Sequence, residues 1–240
     1  MLLLYLYMSL PWFFAPDLNS HPLTLDEENS RHIVQVLRMK EGQRLLLTDG
    51  KGHSGEAEIT NAHKKHCSVH MLNVDFQHRP SQQLTIGISL LKNSSRFEWF
   101  LEKATELGTA EIIPLICERT EKEKFRFDRY INICKSAMLQ SMQTWMPVLR
   151  EPENFNEAVR SATQHQRFIA HCAEDDKQPL VGAFDSLLDT QIILIGPEGD
   201  FTATEIEDAK ANGFIPVTLG ATRLRSETAG IYAAVIGARE

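Results

Sequence analysis

Side chains suited to binding a charged or planar ligand are concentrated in the segment LGATRLRSETAG, residues 219–230. Its part 223–228 has two arginines, a carboxylate and two hydroxyls directly before an apolar helix: Arg223, Arg225, Ser226, Glu227 and Thr228. Arginine binds carboxylates and phosphates through paired N–H donors, and a helix N-terminus attracts negative charge. These residues indicate a site for an anionic or planar polar ligand. The alternative is a plain helix start, with Ser226 as its cap and Glu227 favouring the helix dipole.

The turn GPEG is a second candidate, because it ends an apolar stretch abruptly. Gly196 and Gly199 allow backbone conformations and close approaches that side chains would block, and Pro197 stiffens the turn between them. Thr202 and Glu205 match a capping box, which predicts a helix that begins directly after Thr202. Since neither GxGxxG nor GxxxxGK[ST] is present, the turn predicts neither a dinucleotide-binding loop nor a P-loop. A simple strand-to-helix turn is the alternative interpretation.

A third polar loop, in LLKNSSRFEWFLEKATELG (90–108), places Lys92 and Arg96 just after another apolar stretch. A polar connection into an amphipathic helix would account for it equally well.

Strands that alternate with helices from residue 84 onward predict a parallel sheet that positions these three loops. The predicted strands are Leu84–Leu91, Glu111–Cys117, Arg167–His171, Gln191–Ile195 and Ile215–Leu219. The predicted helices are Phe97–Leu107, Arg129–Ser141, Phe155–His165, Thr204–Asn212 and Glu227–Glu240. Pro114 predicts an edge strand or a bulge, because proline donates no ladder hydrogen bond. Ligands of such sheets bind outside the carboxyl ends of the strands, so we expect chemistry after Leu91, Ile195 and Leu219.

The sequence of the first third of the chain predicts short β-strands with turns between them instead. Arg44–Thr48 and Glu56–Thr60 flank the glycine-rich turn DGKGHSG, and Val69–Val74 is a further strand. The polar stretch QHRPSQQ (77–83) is the best domain boundary.

Charge is unevenly distributed over the 240 residues, whose net charge is −7. Residues 31–83 contain eight basic and five acidic residues, and six of the nine histidines. A mildly basic segment on an acidic chain indicates a nucleic-acid contact surface, although an ordinary solvated face is an equal alternative. The four cysteines form no CxxC pair, so we expect a reducing compartment and no metal site.

The N-terminal stretch MLLLYLYMSLPWFFAP is too short to span a membrane and lacks the basic region and cleavage site of a signal peptide. We therefore expect a cytoplasmic protein without membrane contact. Met8 could be the true start, with residues 1–7 as an extension.

Taken together, LLK..SRFEWFLEKATELG, IGPEGDFT..EI and LG..RLRSETAG resemble the RsmE-type family, in this order and near the C-terminus. Members of that family are 16S ribosomal RNA uridine N3-methyltransferases of the SPOUT superfamily. HIVQVLRMKEGQRLLLTDGKGHSGEAEIT (32–60) is similar to the family's PUA-like RNA-binding barrel. The resemblance covers nearly the whole chain. It implies an α/β protein with an N-terminal PUA-like β-barrel (1–80) and a C-terminal SPOUT-type, trefoil-knotted parallel sheet (81–240).

The resemblance also implies a homodimer, an S-adenosyl-L-methionine cofactor and a substrate in small-subunit ribosomal RNA or the assembled small subunit. By position, the cofactor-binding residues would be Leu90, Ile195, Gly196, Pro197, Glu198, Gly199, Leu219, Gly220, Leu224 and Ala229. Arg225, Glu227 and Thr228 would act on the reacting base. RNA phosphates would be bound by Arg31, Arg38, Lys51, Lys64 and Lys65, helped by Lys92, Arg96, Arg119 and Arg126.

Two stretches differ from the family's usual pattern. An arginine usually stands two residues after the LG pair, and here Thr222 holds that position with Arg223 next to it. A stretch that usually reads EQ(S/C)xR has Leu139 in place of its acid and Gln143 in place of its arginine. These differences concern the RNA contacts and the target rather than the adenosine pocket.

Methylation of uracil N3 requires loss of the imide proton, which places negative charge on the ring oxygens. Arg225 is the first candidate for stabilising that charge, and Glu227 could accept the proton or hold Arg225.

Three other functions are weaker alternatives. A ribose 2′-O-methyltransferase of the superfamily would have an SLN-type sequence where this chain has RSETAG. A non-catalytic RNA-binding or assembly protein is supported only by the altered 139–143 stretch. A nucleotide-dependent oxidoreductase would need a dinucleotide fingerprint after a strand.

Overall fold

The computed structural model describes residues 10–20, 22–121, 124–185 and 187–238, so the expectation about Met8 falls outside the described residues. Two compact units are present. The first comprises the described residues up to Arg79 together with Met138–Met146, and the second comprises Pro80–Ala137 and the described residues from Pro147 onward. The altered stretch 139–143 therefore belongs to the first unit.

Six strands form the curled, barrel-like sheet of the first unit, in the order β1–β3–β4–β5–β2 with β6 paired to β4. Their bounds are Trp12–Phe14 (β1), Leu23–Thr24 (β2), Arg44–Thr48 (β3), His53–Asn61 (β4), Ser68–Met71 (β5) and Asp75–Phe76 (β6). The predicted strand Arg44–Thr48 is confirmed, and the predicted return strand is longer than expected. Alternate residues of β4, Gly55, Ala57 and Ile59, are buried, as expected for a strand with one face on a core.

Several elements of the first unit have no counterpart in the sequence prediction: β1, β2, β6 and a short helix with the turn that follows it. β1 pairs in parallel with β3, and the helix Glu27–Arg31 (α1) continues into a π-helical turn, His32–Val36. Asp26 caps α1, because its carboxylate accepts a hydrogen bond from the amide of Asn29.

Eight strands form the sheet of the second unit, all in parallel pairs, in the order β10–β8–β7–β13–β11–β14–β12 with β9 paired to β8. Their bounds are Gln83–Ser89 (β7), Glu111–Ile116 (β8), Val148–Leu149 (β9), Glu153–Asn154 (β10), Gln166–Ala170 (β11), Gln178–Pro179 (β12), Thr190–Ile195 (β13) and Ile215–Thr218 (β14). The helices are Ser94–Glu106 (α2), Phe127–Gln140 (α3), Phe155–Ser161 (α4), Ala203–Ala211 (α5) and Ser226–Gly237 (α6).

The predicted parallel sheet is confirmed, and its central strands are buried on both faces. Five consecutive residues of β13, 191–195, are buried, and so are six of β7, 84–89. Such strands read as continuous apolar runs because helices cover both faces of a parallel sheet. The threading of a trefoil knot stays a prediction.

Pro114 lies inside β8 rather than on a free edge. One side of β8 pairs with β7, and the other side pairs with β9 at Glu111 and Ile112 and with β10 at Leu115 and Ile116. Pro114 falls between these two short pairings, where a missing N–H donor leaves no ladder bond unmade.

Helix α6 packs against the sheet and against α2, as its small apolar residues require. Gly230 makes the close contact possible, because a Cβ atom there would lie 2.6 Å from Cε2 of Phe100. The small apolar composition of Ala229–Ala238 predicts tight packing against a sheet or a second subunit, and the structure shows packing against the sheet. Within the described residues, no helix is both long and apolar enough to cross a membrane.

We expect Gly230→Ala to destabilise the protein. The added methyl group would overpack a rigid aromatic ring, at about 1–3 kcal/mol, whereas the gain in helix propensity is only about 1 kcal/mol. Urea unfolding measures the difference. Val235→Ala, at an exposed position of the same helix, is the control and should change stability by less than about 0.5 kcal/mol. Equal stability of the Gly230 variant and wild type would contradict the close-packing argument.

Candidate functional site

Three neighbouring parallel strands, β13, β11 and β14, end at the same edge of the second unit's sheet. The loops that follow them enclose a cavity of about 480 Å³. It is lined by residues 170–172, 177, 195–198, 200, 217–226 and 229. The predicted location of the site after Ile195 and Leu219 agrees with this cavity, and the size is that of small-molecule sites in general.

Most of the residues that the resemblance assigned to a cofactor meet in this cavity. Those that line it are Ile195, Gly196, Pro197, Glu198, Leu219, Gly220, Leu224 and Ala229. Leu90 and Gly199 fall outside the lining that the described residues form: Leu90 is buried, and Gly199 is exposed beside the side chain of Arg119. Gly220 has φ = +128°, a conformation that favours glycine over any residue with a Cβ atom.

The GPEG turn is closed and fixed by Asp200, which follows it. The amide of Asp200 donates to the carbonyl of Pro197 at 2.9 Å, and its own backbone is left-handed, with φ = +65°. Its carboxylate accepts a hydrogen bond from the amide of Phe201 at 2.9 Å and another from the amide of Cys172 at 2.7 Å. Asp200 thereby connects the turn after β13 to the loop after β11.

Ser226 joins the turn to the third loop. Its hydroxyl donates to the carbonyl of Gly196 at 2.7 Å, and the side chain is buried. The interpretation of Ser226 as a helix cap is therefore wrong: α6 begins at Ser226, and the N-cap position belongs to Arg225, whose side chain makes no capping bond.

The predicted capping box at the start of α5 is confirmed. Thr202 and Glu205 exchange side-chain to backbone hydrogen bonds in both directions. The second carboxylate oxygen of Glu205 accepts from the amide of Glu118 at 2.9 Å, so the box also fixes the segment after β8. Arg119, in that segment, donates to the carbonyl of Gly199 at 2.6 Å.

The first predicted loop, after β7, touches the GPEG turn without lining the cavity. The amide of Lys92 donates to the carboxylate of Glu198 at 3.1 Å. The ammonium group of Lys92 lies 2.6 Å from Glu121, and this hydrogen bond raises the pKa of the lysine above its usual value. The predicted RNA contacts of Lys92 and Arg119 stay predictions.

The three residues assigned to the reacting base have different environments at the start of α6. Arg225 is exposed and lines the cavity, whereas Thr228 is exposed outside it. Glu227 is buried, and its carboxylate lies 3.5 Å from Nε of Arg96. Among the described residues, its ion-pair partner is Arg96, which we had assigned to RNA, and not Arg225.

His171 is a cavity residue that the sequence analysis did not identify. Its side chain is fully buried, and neither ring nitrogen has a hydrogen-bond partner in the described structure. The nearest carboxylate oxygen, on Asp175, is 3.7 Å from Nε2. Burial lowers the pKa of the imidazole, and the nearby ammonium of Lys177 lowers it further, against the opposing effect of Asp200. The only sequence signal was the polar run HCAEDDK directly after a buried strand.

The basic residues of the first unit assigned to RNA are all exposed: Arg31, Arg38, Lys51, Lys64 and Lys65. Arg38 has a left-handed backbone, with φ = +55°. Within the described ranges, no three His, Cys, Asp or Glu side chains are grouped closely enough to hold a metal ion.

We expect His171 to make stability fall with acidity. Its pKa is lowered on folding from an ordinary value of 6.5, so below that pH the unfolded chain binds the proton more readily and acid favours unfolding. Urea unfolding between pH about 7.5 and about 5.5 should show a smaller loss of stability for His171→Gln than for wild type. His165→Gln, at an exposed position of the same unit, is the control. Parallel pH profiles for wild type and the His171 variant would contradict the prediction.

Comparison with known families gives a match for two separate parts of the chain. Residues 78–237 match the family described as an RNA methyltransferase domain, and residues 25–72 match an RNA methyltransferase PUA domain. Ribosomal RNA small subunit methyltransferase E of Synechocystis is 32% identical over 213 residues, which cover 86% of this chain and 69% of that protein.

Solved structures agree with this result. A probable rRNA methyltransferase from Porphyromonas gingivalis is 36% identical, with a TM-score of 0.88 over 94% of this chain and 95% of its own. Ribosomal RNA small subunit methyltransferase E from Neisseria gonorrhoeae, solved bound to S-adenosyl methionine, is 29% identical, with a TM-score of 0.83 over 94% and 95%. These matches, together with the cavity built from the GPEG and RLRSETAG loops, show that the chain belongs to the RsmE-type family of ribosomal RNA methyltransferases.

Proposed function

We propose that this protein methylates N3 of a uridine in small-subunit ribosomal RNA, with S-adenosyl-L-methionine as the methyl donor. The observation that carries the proposal is the single cavity in which eight of the ten expected cofactor-binding residues meet Arg225. The Neisseria relative, solved with S-adenosyl methionine, supports the same cofactor.

The cavity suits a ligand of this chemistry. S-adenosylmethionine has an apolar and aromatic part, a carboxylate and two positive groups, and it supplies an activated methyl group when bound. Apolar contacts come from Ile195, Leu219 and Leu224, and both signs of charge are present in the lining, on Lys177, Glu198, Asp200, Arg223 and Arg225. His171 also contributes to the lining, with its imidazole buried beneath the surface of the cavity.

Arg225 is the residue that we assign to the charge on the reacting base. Removal of the N3 proton leaves negative charge on the uracil oxygens, and a guanidinium group fixed beside them stabilises it. Arg225 is suited to this role because its backbone is fixed as the N-cap of α6 while its side chain is exposed at the cavity. Donors that are positioned before the reaction need little reorganisation when charge develops.

We assign a positioning role to Glu227, because its buried carboxylate is paired with Arg96 and so holds the start of α6 in place. The pair connects α6 to α2, and a carboxylate in the first turn of α6 also interacts favourably with the helix dipole. Proton removal from N3 by Glu227 would require the base to displace Arg96 from it. Thr228, one residue on, is exposed and can hydrogen-bond the RNA.

The remaining assignments follow from the substrate. We propose the cytoplasm as the place of the reaction, because ribosomal RNA is the substrate, and the free thiols of the described cysteines fit a reducing compartment. We assign phosphate contacts to the exposed basic residues of the first unit, on ribosomal RNA or the assembled small subunit. A homodimer is the expected assembly.

Transfer of labelled methyl groups to small ribosomal subunits that lack the N3-methyluridine mark tests the proposed function. Nucleoside analysis should find the label in N3-methyluridine. Label in a 2′-O-methylated nucleoside, or cofactor binding without transfer to any RNA, would overturn the proposal.

We expect Arg225→Ala to lower the turnover number by about 100-fold or more, since that is the usual effect of losing one charge-stabilising donor. Cofactor affinity should change far less, because the cavity is formed by many other residues. Single-turnover methyl transfer and calorimetric titration with the cofactor measure the two effects. Arg160→Ala, at an exposed position of α4, is the matched control. Turnover near the wild-type value would remove Arg225 from the mechanism.

A further inference from the structure

A group of aromatic rings lies at the surface of the first unit, whereas the residues assigned to the reaction belong to the second unit. Phe76 is 48% exposed, and its ring centroid lies 4.8 Å from that of His53, 5.1 Å from His78 and 6.1 Å from Trp145. The guanidinium of Arg79 lies over the ring of Trp145, 4.6 Å from its centroid. We call this group the Phe76–Trp145 platform. His53 and His78 are exposed as well, Trp145 is partly buried, and contiguous exposed apolar surface of this kind marks interaction sites.

The platform is held rigidly by the backbone beneath it. Phe76 is the direct cross-strand partner of His53 in the pairing of β6 with β4. Gly52 lies below both rings: a Cβ atom there would be 2.6 Å from Cζ2 of Trp145 and 2.8 Å from Cε2 of Phe76. The indole N–H of Trp145 donates to the carbonyl of Gln77 at 2.9 Å. The rings therefore lose little freedom when a ligand binds.

Hydrogen bonds from Met138–Met146 complete this support. The hydroxyl of Thr144 donates to the side-chain oxygen of Gln77 at 3.0 Å, and the carbonyl of Thr144 accepts from the amide of Gly52 at 2.9 Å. The segment that carries Trp145 thus includes the stretch 139–143, where the sequence differs from the family's usual pattern. This chain places an aromatic residue next to the altered stretch.

Positive charge borders the rings on an otherwise acidic chain. Lys51 is exposed and forms a β-bridge to Trp145, and Arg79 lies over the indole. The nearby carboxylate of Asp49 is engaged by the ring of His53 at 2.8 Å and by the amides of Lys51 and His53. Asp75, which precedes Phe76 in β6, is a further exposed acid beside the rings. Aromatic faces with adjoining cations match the requirements of an unpaired base and its phosphates.

We propose that the Phe76–Trp145 platform binds an unpaired base of the RNA substrate by stacking, with Lys51 and Arg79 on the flanking phosphates. The proposal rests on the proposed function, since that supplies an RNA substrate. It adds a contact that the charge pattern of the sequence did not identify, because its residues come from separate parts of the chain.

Phe76→Ala tests the stacking contact, and Phe76→Tyr restores an aromatic face at the same position. Affinity is measured by fluorescence anisotropy with a labelled, protein-free single-stranded fragment of 16S ribosomal RNA. Loss of one stacked base corresponds to weakening by about 5-fold or more. We expect that loss for Phe76→Ala and near wild-type affinity for Phe76→Tyr. Val74→Ala, at an equally exposed apolar position two residues away, is the control and should bind like wild type.

Arg79→Gln tests the cation separately. The slope of log affinity against log salt should become shallower by about 0.7, because the variant neutralises one phosphate fewer on a single strand. Arg160→Gln, on the second unit, should leave the slope unchanged. An unchanged slope for Arg79→Gln would remove Arg79 from the phosphate contacts.

The readouts separate this proposal from the proposed function. Thermal melting and cofactor titration show that each variant is folded, and RNA binding is measured without catalysis. Wild-type RNA affinity of Phe76→Ala, in an enzyme that still forms N3-methyluridine, would overturn the platform alone. If Phe76→Ala lowered the affinity for assembled subunits but not for protein-free RNA, the platform would bind a ribosomal protein instead, and the proposal would also be overturned. Failure of Phe76→Tyr to restore affinity would overturn the stacking contact.

Discussion

The hydrogen bond from the Ser226 hydroxyl to the Gly196 carbonyl, 2.7 Å long and buried, is the interaction on which the cavity depends. Gly196 directly follows β13, and Ser226 is the first residue of α6. The strand before α6 in the chain is β14, which is separated from β13 in the sheet by β11. The bond therefore joins the turn after β13 to the start of α6 and fixes two walls of the cavity relative to each other. A buried hydrogen bond of this kind is strengthened by its low-dielectric surroundings, and an unpaired carbonyl in the same place would be costly.

Asp200 fixes the third wall by a different means. Its left-handed backbone is unfavourable for a residue with a side chain, but a short carboxylate can offset the strain through local hydrogen bonds. Here the carboxylate holds the amides of Phe201 and Cys172, one in its own turn and one in the loop after β11. Strain of this type is common where a binding site must be held in one arrangement. The cavity is thus built on a rigid apolar sheet, and its shape is set by a few polar contacts between loops.

Side-chain hydrogen bonds between residues close in the chain could be predicted from the sequence, and those between residues far apart in the chain could not. The capping box of Thr202 and Glu205 joins residues only three apart, so its pattern was sufficient. Serine is a common helix-capping residue, but the hydroxyl of Ser226 donates its hydrogen bond to the carbonyl of Gly196, 30 residues earlier in the chain. His171 was missed because a histidine after a buried strand has no distinguishing pattern, and only the fold shows that both its nitrogens are unpartnered. The grouping of Met138–Met146 with the first unit has no sequence signal either.

The order in which the cavity walls occur along the chain has a consequence for biosynthesis. Residues 170–172, 195–198 and 200 are synthesised before 217–226 and 229, yet all of these segments contribute to the same cavity. A nascent chain that has reached Thr218 contains β11, β13 and β14 but lacks the wall contributed by α6 and the loop before it. A ligand that binds only the complete cavity cannot stabilise such an intermediate by mass action. Such a ligand therefore stabilises the protein only after α6 has been synthesised and docked.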